Sequence, residues 1–118
     1  MLGRCLLEIT YANRKLEKLF SDYDAMSRKI PAEWVRNIKK CIDRLRASDN
    51  FGIFMKVRLQ HHEALSGNDK GKYSVHVSKN ARLIMKPSLN GEEVELSTDI
   101  EIQGVKDYHG GKDNWYIK

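Results

Sequence analysis

The chain has 118 residues, 41% hydrophobic and 31% charged, with a formal net charge of +5. This size fits one domain, 1–118, and the composition is that of a folded globular protein rather than a disordered tail. No apolar run approaches the roughly 18–20 residues needed to cross a bilayer, and the first eleven residues lack the pattern of a secretory leader, so a cytoplasmic protein without membrane contact is expected. The positive charge favours a polyanion or an acidic protein as partner.

Cys5, Leu7, Ile9 and Tyr11 alternate with other residues, which predicts a strand with one buried face. Leu16, Leu19, Phe20, Tyr23 and Met26 then recur three and four apart, predicting an amphipathic helix from about Asn13 to Lys29. Pro31 separates it from a second helix whose stripe is Trp34, Val35, Ile38, Cys41, Ile42 and Leu45. Two helices joined so closely should form an antiparallel hairpin. Arg36, Lys40 and Arg44 line the second helix, as a solvated face or as a contact for RNA or a protein segment. Cys5 and Cys41 have no metal-ligand spacing and read as buried reduced thiols rather than a metal site or disulfide.

Residues 48–72 show no sustained period; a linker is expected, with a short extended or helical piece around Phe54 to Leu59. Tyr73, Val75 and Val77 alternate, a turn follows at Lys79–Asn80, and Ala81 to Met85 gives the second arm of a hairpin. Pro87 to Gly91 is rich in turn residues. Ile100, Ile102 and Val105 mark a last strand running into Asp107, Tyr108 and His109, with Gly104 a candidate bulge. Gly110 and Gly111 should end it, leaving Asn114 to Lys118 as a tail. A strand, two helices and then three strands predict an α+β domain: a mainly antiparallel sheet packed against a helical hairpin.

Four ordered motifs carry a resemblance. Leu65-Ser66-Gly67, Gly71-Lys72-Tyr73-Ser74-Val75, Arg82-Leu83-Ile84-Met85 and Asp107-Tyr108-His109 resemble the RelE/ParE toxin superfamily and, within it, the HigB-like killer proteins. Two features depart from that pattern. Met85 stands where the family usually has Phe, and the His before Leu-x-Gly is displaced, so that His61 or His62 could fill its place. The resemblance implies the toxin of a type II toxin–antitoxin pair, a ribosome-dependent mRNA endoribonuclease. It needs no cofactor or metal and is silenced by a helix-turn-helix antitoxin in a higher-order complex. The superfamily also contains ParE-like gyrase poisons, and an inactive RNA- or antitoxin-binding module of the same fold is a third reading.

Metal-free RNA cleavage uses the 2′-hydroxyl as nucleophile and needs proton transfer and charge stabilisation at the phosphate. The resemblance makes His109 the general acid or base, Asp107 its electrostatic support and Arg82 the phosphate clamp, with His62 a second proton-transfer group. On an ideal strand Asp107 and His109 share one face and Tyr108 takes the other. Tyr108 is then either a core aromatic or a group that stacks on a base or contacts phosphate. Arg82 alternatively pairs with a carboxylate such as Glu101. Lys56, Arg58, Lys70, Lys72 and Lys79 are candidates for a basic rim along RNA backbone.

Overall fold

The computed structural model describes residues 7–56, 62–64, 71–89, 91–109 and 112–118. Cys5, Arg58, His61, Lys70 and the Leu65-Ser66-Gly67 motif lie outside them. His62 and His109 enter through their backbones alone.

Strand β1 (Glu8–Tyr11) leads into α1 (Arg14–Phe20), which Asn13 starts by accepting the Leu16 N–H on its side-chain oxygen at 2.9 Å. The expected single helix over 13–29 is two. Asp22 adopts an extended backbone and its carboxylate accepts the N–H groups of Asp24 and Ala25, both at 3.1 Å, opening α2 (Tyr23–Ser27). A side chain that bonds its own following backbone offers an alternative to the continuing helix, and at Asp22 that alternative prevails. The apolar period survives the break, because Leu16, Leu19, Phe20 and Met26 are all buried. Helix α3 (Ala32–Arg46) follows the Pro31 cap and buries Val35, Ile38, Cys41, Ile42 and Leu45, as its stripe predicts. Arg36 and Lys40 lie on its solvated side.

The expected linker contains helix α4 (Phe51–Lys56). Phe51 is fully buried, its ring 5.0 Å from that of Tyr73 in T-shaped contact, and its N–H bonds to Ser97 O at 2.9 Å. Helix α4 packs on a 3-10 helix, Gly91–Leu96, which occupies the interval after Pro87 and buries Val94.

Five further strands complete the sheet: β2 (His62–Ala64), β3 (Tyr73–His76), β4 (Ala81–Pro87), β5 (Asp99–His109) and β6 (Lys112–Ile117). Their order is β1-β5-β4-β3-β2, with β6 also on β5. β1 runs parallel to β5, Glu8 to Tyr11 matching Asp99 to Ile102, and the other pairs are antiparallel. The expected α+β sheet with a helical layer is therefore present. The predicted tail is the strand β6. Its Asp113 and Asn114 break any apolar alternation, and it is pairing with Val105 to His109 that makes it a strand.

β5 carries a bulge where Gly104 was expected to mark one. Ile84 pairs with Gly104 but Met85 pairs with Ile102, so the register skips Gln103. The skip reverses the alternation of β5. Ile100 and Ile102 before it and Val105 after it all join the core with Leu83, Met85 and the helix stripes. Gly104 has φ +142°, and a Cβ there would collide with the Ile117 carbonyl and the Trp115 ring.

Two outcomes follow. Gly104→Ala should lower unfolding free energy by about 2–4 kcal/mol in urea titration, combining a strained φ with overpacking. Burial raises the Cys41 thiol from 9.0 to about 12. A raised thiol pKa favours the fold fully below the unfolded value, so this contribution is lost as pH rises from about 9 towards 12. Folded protein should accordingly resist iodoacetamide at Cys41 at pH 9, and the same site should alkylate readily in urea.

Candidate nucleic-acid interface

The β3–β4 hairpin turn is closed by the Val77 N–H bonding to Ala81 O at 3.0 Å, with Ser78 Oγ accepting the Asn80 and Ala81 N–H groups at 3.3 and 3.0 Å. Two long-range bonds hold that turn in place. Asn37 of α3 donates its amide to Val77 O at 2.8 Å, and Tyr108 of β5 donates its N–H to Asn80 O at 2.8 Å. The turn that precedes Arg82 is thus tied both to the helical layer and to the end of β5.

Arg82 bends back over this turn. Its Nη1 donates to Lys79 O at 3.2 Å and Ala81 O at 3.3 Å, while the guanidinium carbon stands 5.1 Å from the centre of the Tyr108 ring. A guanidinium has five N–H donors in a fixed fork. Its hydrogen bonds among the described residues use Nη1, and a bidentate anion contact would draw on Nε and Nη2.

Register fixes the faces. Arg82 stands opposite Lys106 on β5 and opposite His76 on β3, and Tyr108 is the next residue on the Lys106 side. Directly opposed residues share a sheet face. Ala81, Leu83 and Met85 face the helical layer, so Arg82, His76, Lys106 and Tyr108 belong to the other side. Tyr108 is therefore not a core aromatic but lies beneath Arg82. The alternative pairing of Arg82 with Glu101 does not occur: Lys86 stands opposite Glu101, whose carboxylate accepts the Gln103 amide.

Lys106 is only 7% exposed, and its Nζ lies 4.8 Å from the Trp115 ring centre. Like charges directly across two strands repel. Here each cation rests on an aromatic face, Arg82 on Tyr108 and Lys106 on Trp115, and ring quadrupoles partly offset the cost. Of the two cations Arg82 is the more exposed, and its guanidinium is the one that solvent reaches.

The structure brings together only part of the expected set. Arg82 and Tyr108 are in contact, and Lys79 adjoins them through its carbonyl with its side chain exposed. Asp107 takes the opposite face, in register with the core residue Ala81, and its Oδ1 is buried. His109 ends β5 in register with Lys112, one residue past Tyr108. His62 pairs in register with Val75, on the strand next to β3. Lys72 precedes β3, at the end of that strand away from the turn, and Lys56 ends α4. Among the described residues no group of three or more His, Cys, Asp or Glu gathers.

His76 and Lys106 were absent from the expected set. The signal for His76 was available, because a hairpin centred on Lys79 matches residue 76 with residue 82. Lys106 depends on the β5 bulge, which sets the parity of everything after it.

Residues 9–100 match the family model described as RelE-like toxin of type II toxin–antitoxin system HigB. No curated protein sequence matches the chain. Among solved structures, a YoeB/ParE toxin from Agrobacterium tumefaciens aligns with TM-score 0.56 and 16% identity, covering 87% of this chain and 100% of that one. A YoeB–YefM complex from Staphylococcus aureus gives TM-score 0.52 and 19% identity over 87% of this chain and 97% of that one. The YoeB dimer from the same organism gives 0.54 and 20% over 91% and 99%. At these identities the likeness is one of fold.

The Arg82–Tyr108 contact is open to direct measurement. A double-mutant cycle of Arg82→Ala and Tyr108→Ala in urea unfolding should return a coupling of about 0.5–1 kcal/mol. Tyr108→Phe in place of Tyr108→Ala should retain most of it, since the ring and not the hydroxyl faces the guanidinium.

Proposed function

Since the chain belongs to the family of RelE-like toxins of type II toxin–antitoxin systems, we propose that it is an endoribonuclease of the HigB-like branch that cleaves messenger RNA on the ribosome and is held inactive by a cognate antitoxin. The observation that carries this reading is the Arg82 guanidinium seated on the Tyr108 ring, opposite Lys106, on the sheet face away from the helices.

In the proposed reaction the 2′-oxygen attacks the neighbouring phosphorus as it loses its proton to a base, and the P–O5′ bond breaks. An acid protonates the departing 5′-oxygen, leaving a cyclic phosphate and a free 5′-hydroxyl. Arg82 stabilises the charge that builds on the non-bridging oxygens. Tyr108 keeps the guanidinium in place and offers its ring edge to a base. We assign proton transfer to His76, the neighbour of Arg82 in register, with His109 at the end of β5 or His62 as the second group; Asp107, turned to the opposite sheet face, is left out of the reacting set. Lys79 extends the cationic surface beside Arg82, and Lys56, Arg58, Lys70 and Lys72 are kept as further candidates for contact with RNA backbone, so RNA affinity should fall as salt rises. Ribosome binding and the antitoxin, a helix-turn-helix protein in a hetero-oligomer, belong to the same proposal. The S. aureus YoeB–YefM complex supports the idea of a bound protein partner.

Controlled expression with mapping of mRNA 5′ ends tests it. Wild type should arrest growth and create new ends within translated messages. Arg82→Ala should reduce cleavage about 10²–10³-fold, the cost of losing a transition-state donor, with stability lowered by only about 1 kcal/mol. His109→Ala should also abolish arrest. Growth arrest with gyrase-dependent DNA breaks and intact messages would establish the ParE-like reading instead. Unimpeded growth with wild type would leave a binding module.

A further inference from the structure

Away from the Arg82 face, a groove follows β6 where it meets α1 and α2. Two adjoining hollows of about 450 and 310 Å³ share Lys15, Leu19 and Lys29. Their floor is apolar, with Leu19 buried and Ile117 packed against the core. Their lip is cationic. Lys15, Lys18 and Lys29 are all exposed, against one side-chain carboxylate, Asp22, which is already engaged in capping α2. Tyr116 forms part of the wall, its ring 5.0 Å from Trp34 and its hydroxyl donating to Lys29 O at 3.4 Å.

Charge of this sign suits either nucleic acid or an acidic polypeptide, and the aromatic groups favour the polypeptide. Single-stranded RNA is held by rings free to stack on bases. Here Tyr116 meets Trp34 edge-on, and the Trp115 ring already bears Lys106 and Lys118, at 4.8 and 5.6 Å. A short apolar floor rimmed by lysines instead matches a peptide with an apolar anchor between acidic residues.

We propose that this groove docks an acidic segment of the cognate antitoxin, an apolar side chain seated on Leu19 and Ile117 and flanking carboxylates on Lys15, Lys18 and Lys29. The inference rests on the toxin–antitoxin reading and adds to it a location. The docking site lies outside the Arg82 face yet shares a wall with it, because Trp115 lines the groove while carrying Lys106. A segment bound here engages the ring that positions one of the paired cations, so inhibition does not require the segment to cover Arg82.

The test is calorimetric titration of the full chain with its purified cognate antitoxin. Lys15→Glu/Lys29→Glu should weaken binding at least about 30-fold through repulsion of acidic side chains, whereas Arg36→Glu/Lys40→Glu on α3 should change it less than about threefold. Thermal unfolding of each variant checks the fold, and Lys15→Gln/Lys29→Gln, with a smaller loss of about tenfold expected, serves if charge reversal prevents folding. Equal affinity of the groove variant and wild type overturns the proposal. So does a groove variant that binds the partner normally but loses RNA cleavage, which would make the groove part of the RNA path. If wild type itself binds no such partner, the toxin–antitoxin reading fails, and the proposal with it.

Discussion

One skipped residue in β5 governs which groups can meet on the sheet. A strand alternates strictly, so residues 100 and 102 would otherwise share a face with residues 106 and 108. Both isoleucines are core residues, and without the skip at Gln103 the core would also claim Lys106 and Tyr108. The bulge lets one eleven-residue strand serve two purposes. Its first part anchors the core against β1 and the helices, and its last part presents Lys106 and the Tyr108 ring on the opposite side. Gly104 makes this possible, as the backbone there occupies a φ closed to L side chains and lies hard against the Ile117 carbonyl and Trp115.

The cationic face is correspondingly a product of backbone geometry more than of local sequence. Arg82 is aimed by carbonyls of its own turn, and that turn is pinned by Asn37 from α3 and by the Tyr108 amide. The residue whose ring supports the guanidinium therefore also fixes, through its backbone, the turn from which Arg82 springs. Such closed dependence keeps a flexible arginine near one orientation, so that an anion bound there would cost it less side-chain entropy.

Much of this was legible in the residues. The stripe from Trp34 to Leu45, the hairpin about Lys79–Asn80 and the bulge at Gly104 each have a local signature, and each is where the pattern puts it. The motif around Arg82 and Tyr108 pointed to two residues that do meet. What escaped has a common cause. The helix break at Asp22 turns on a side-chain-to-backbone competition whose winner is set by packing. Strand β6 has no pattern of its own and exists by pairing with β5. Lys106 becomes visible as a member of the face only when the bulge has shifted parity, and Asp107 is turned to the other side by the same shift.

The parallel pairing of β1 with the first half of β5 also has a kinetic side. Glu8–Tyr11 can find no sheet partner until Asp99–Ile102 has been made, and β6 then closes on the second half of the same strand. Contacts so distant along the chain form late and slowly. The helices and the β3–β4 hairpin can assemble as they emerge, but the face that combines Arg82 with Lys106 and Tyr108 waits for the second half of β5. A nascent chain is thus built in an order that withholds its cationic face until both halves of β5 have been made.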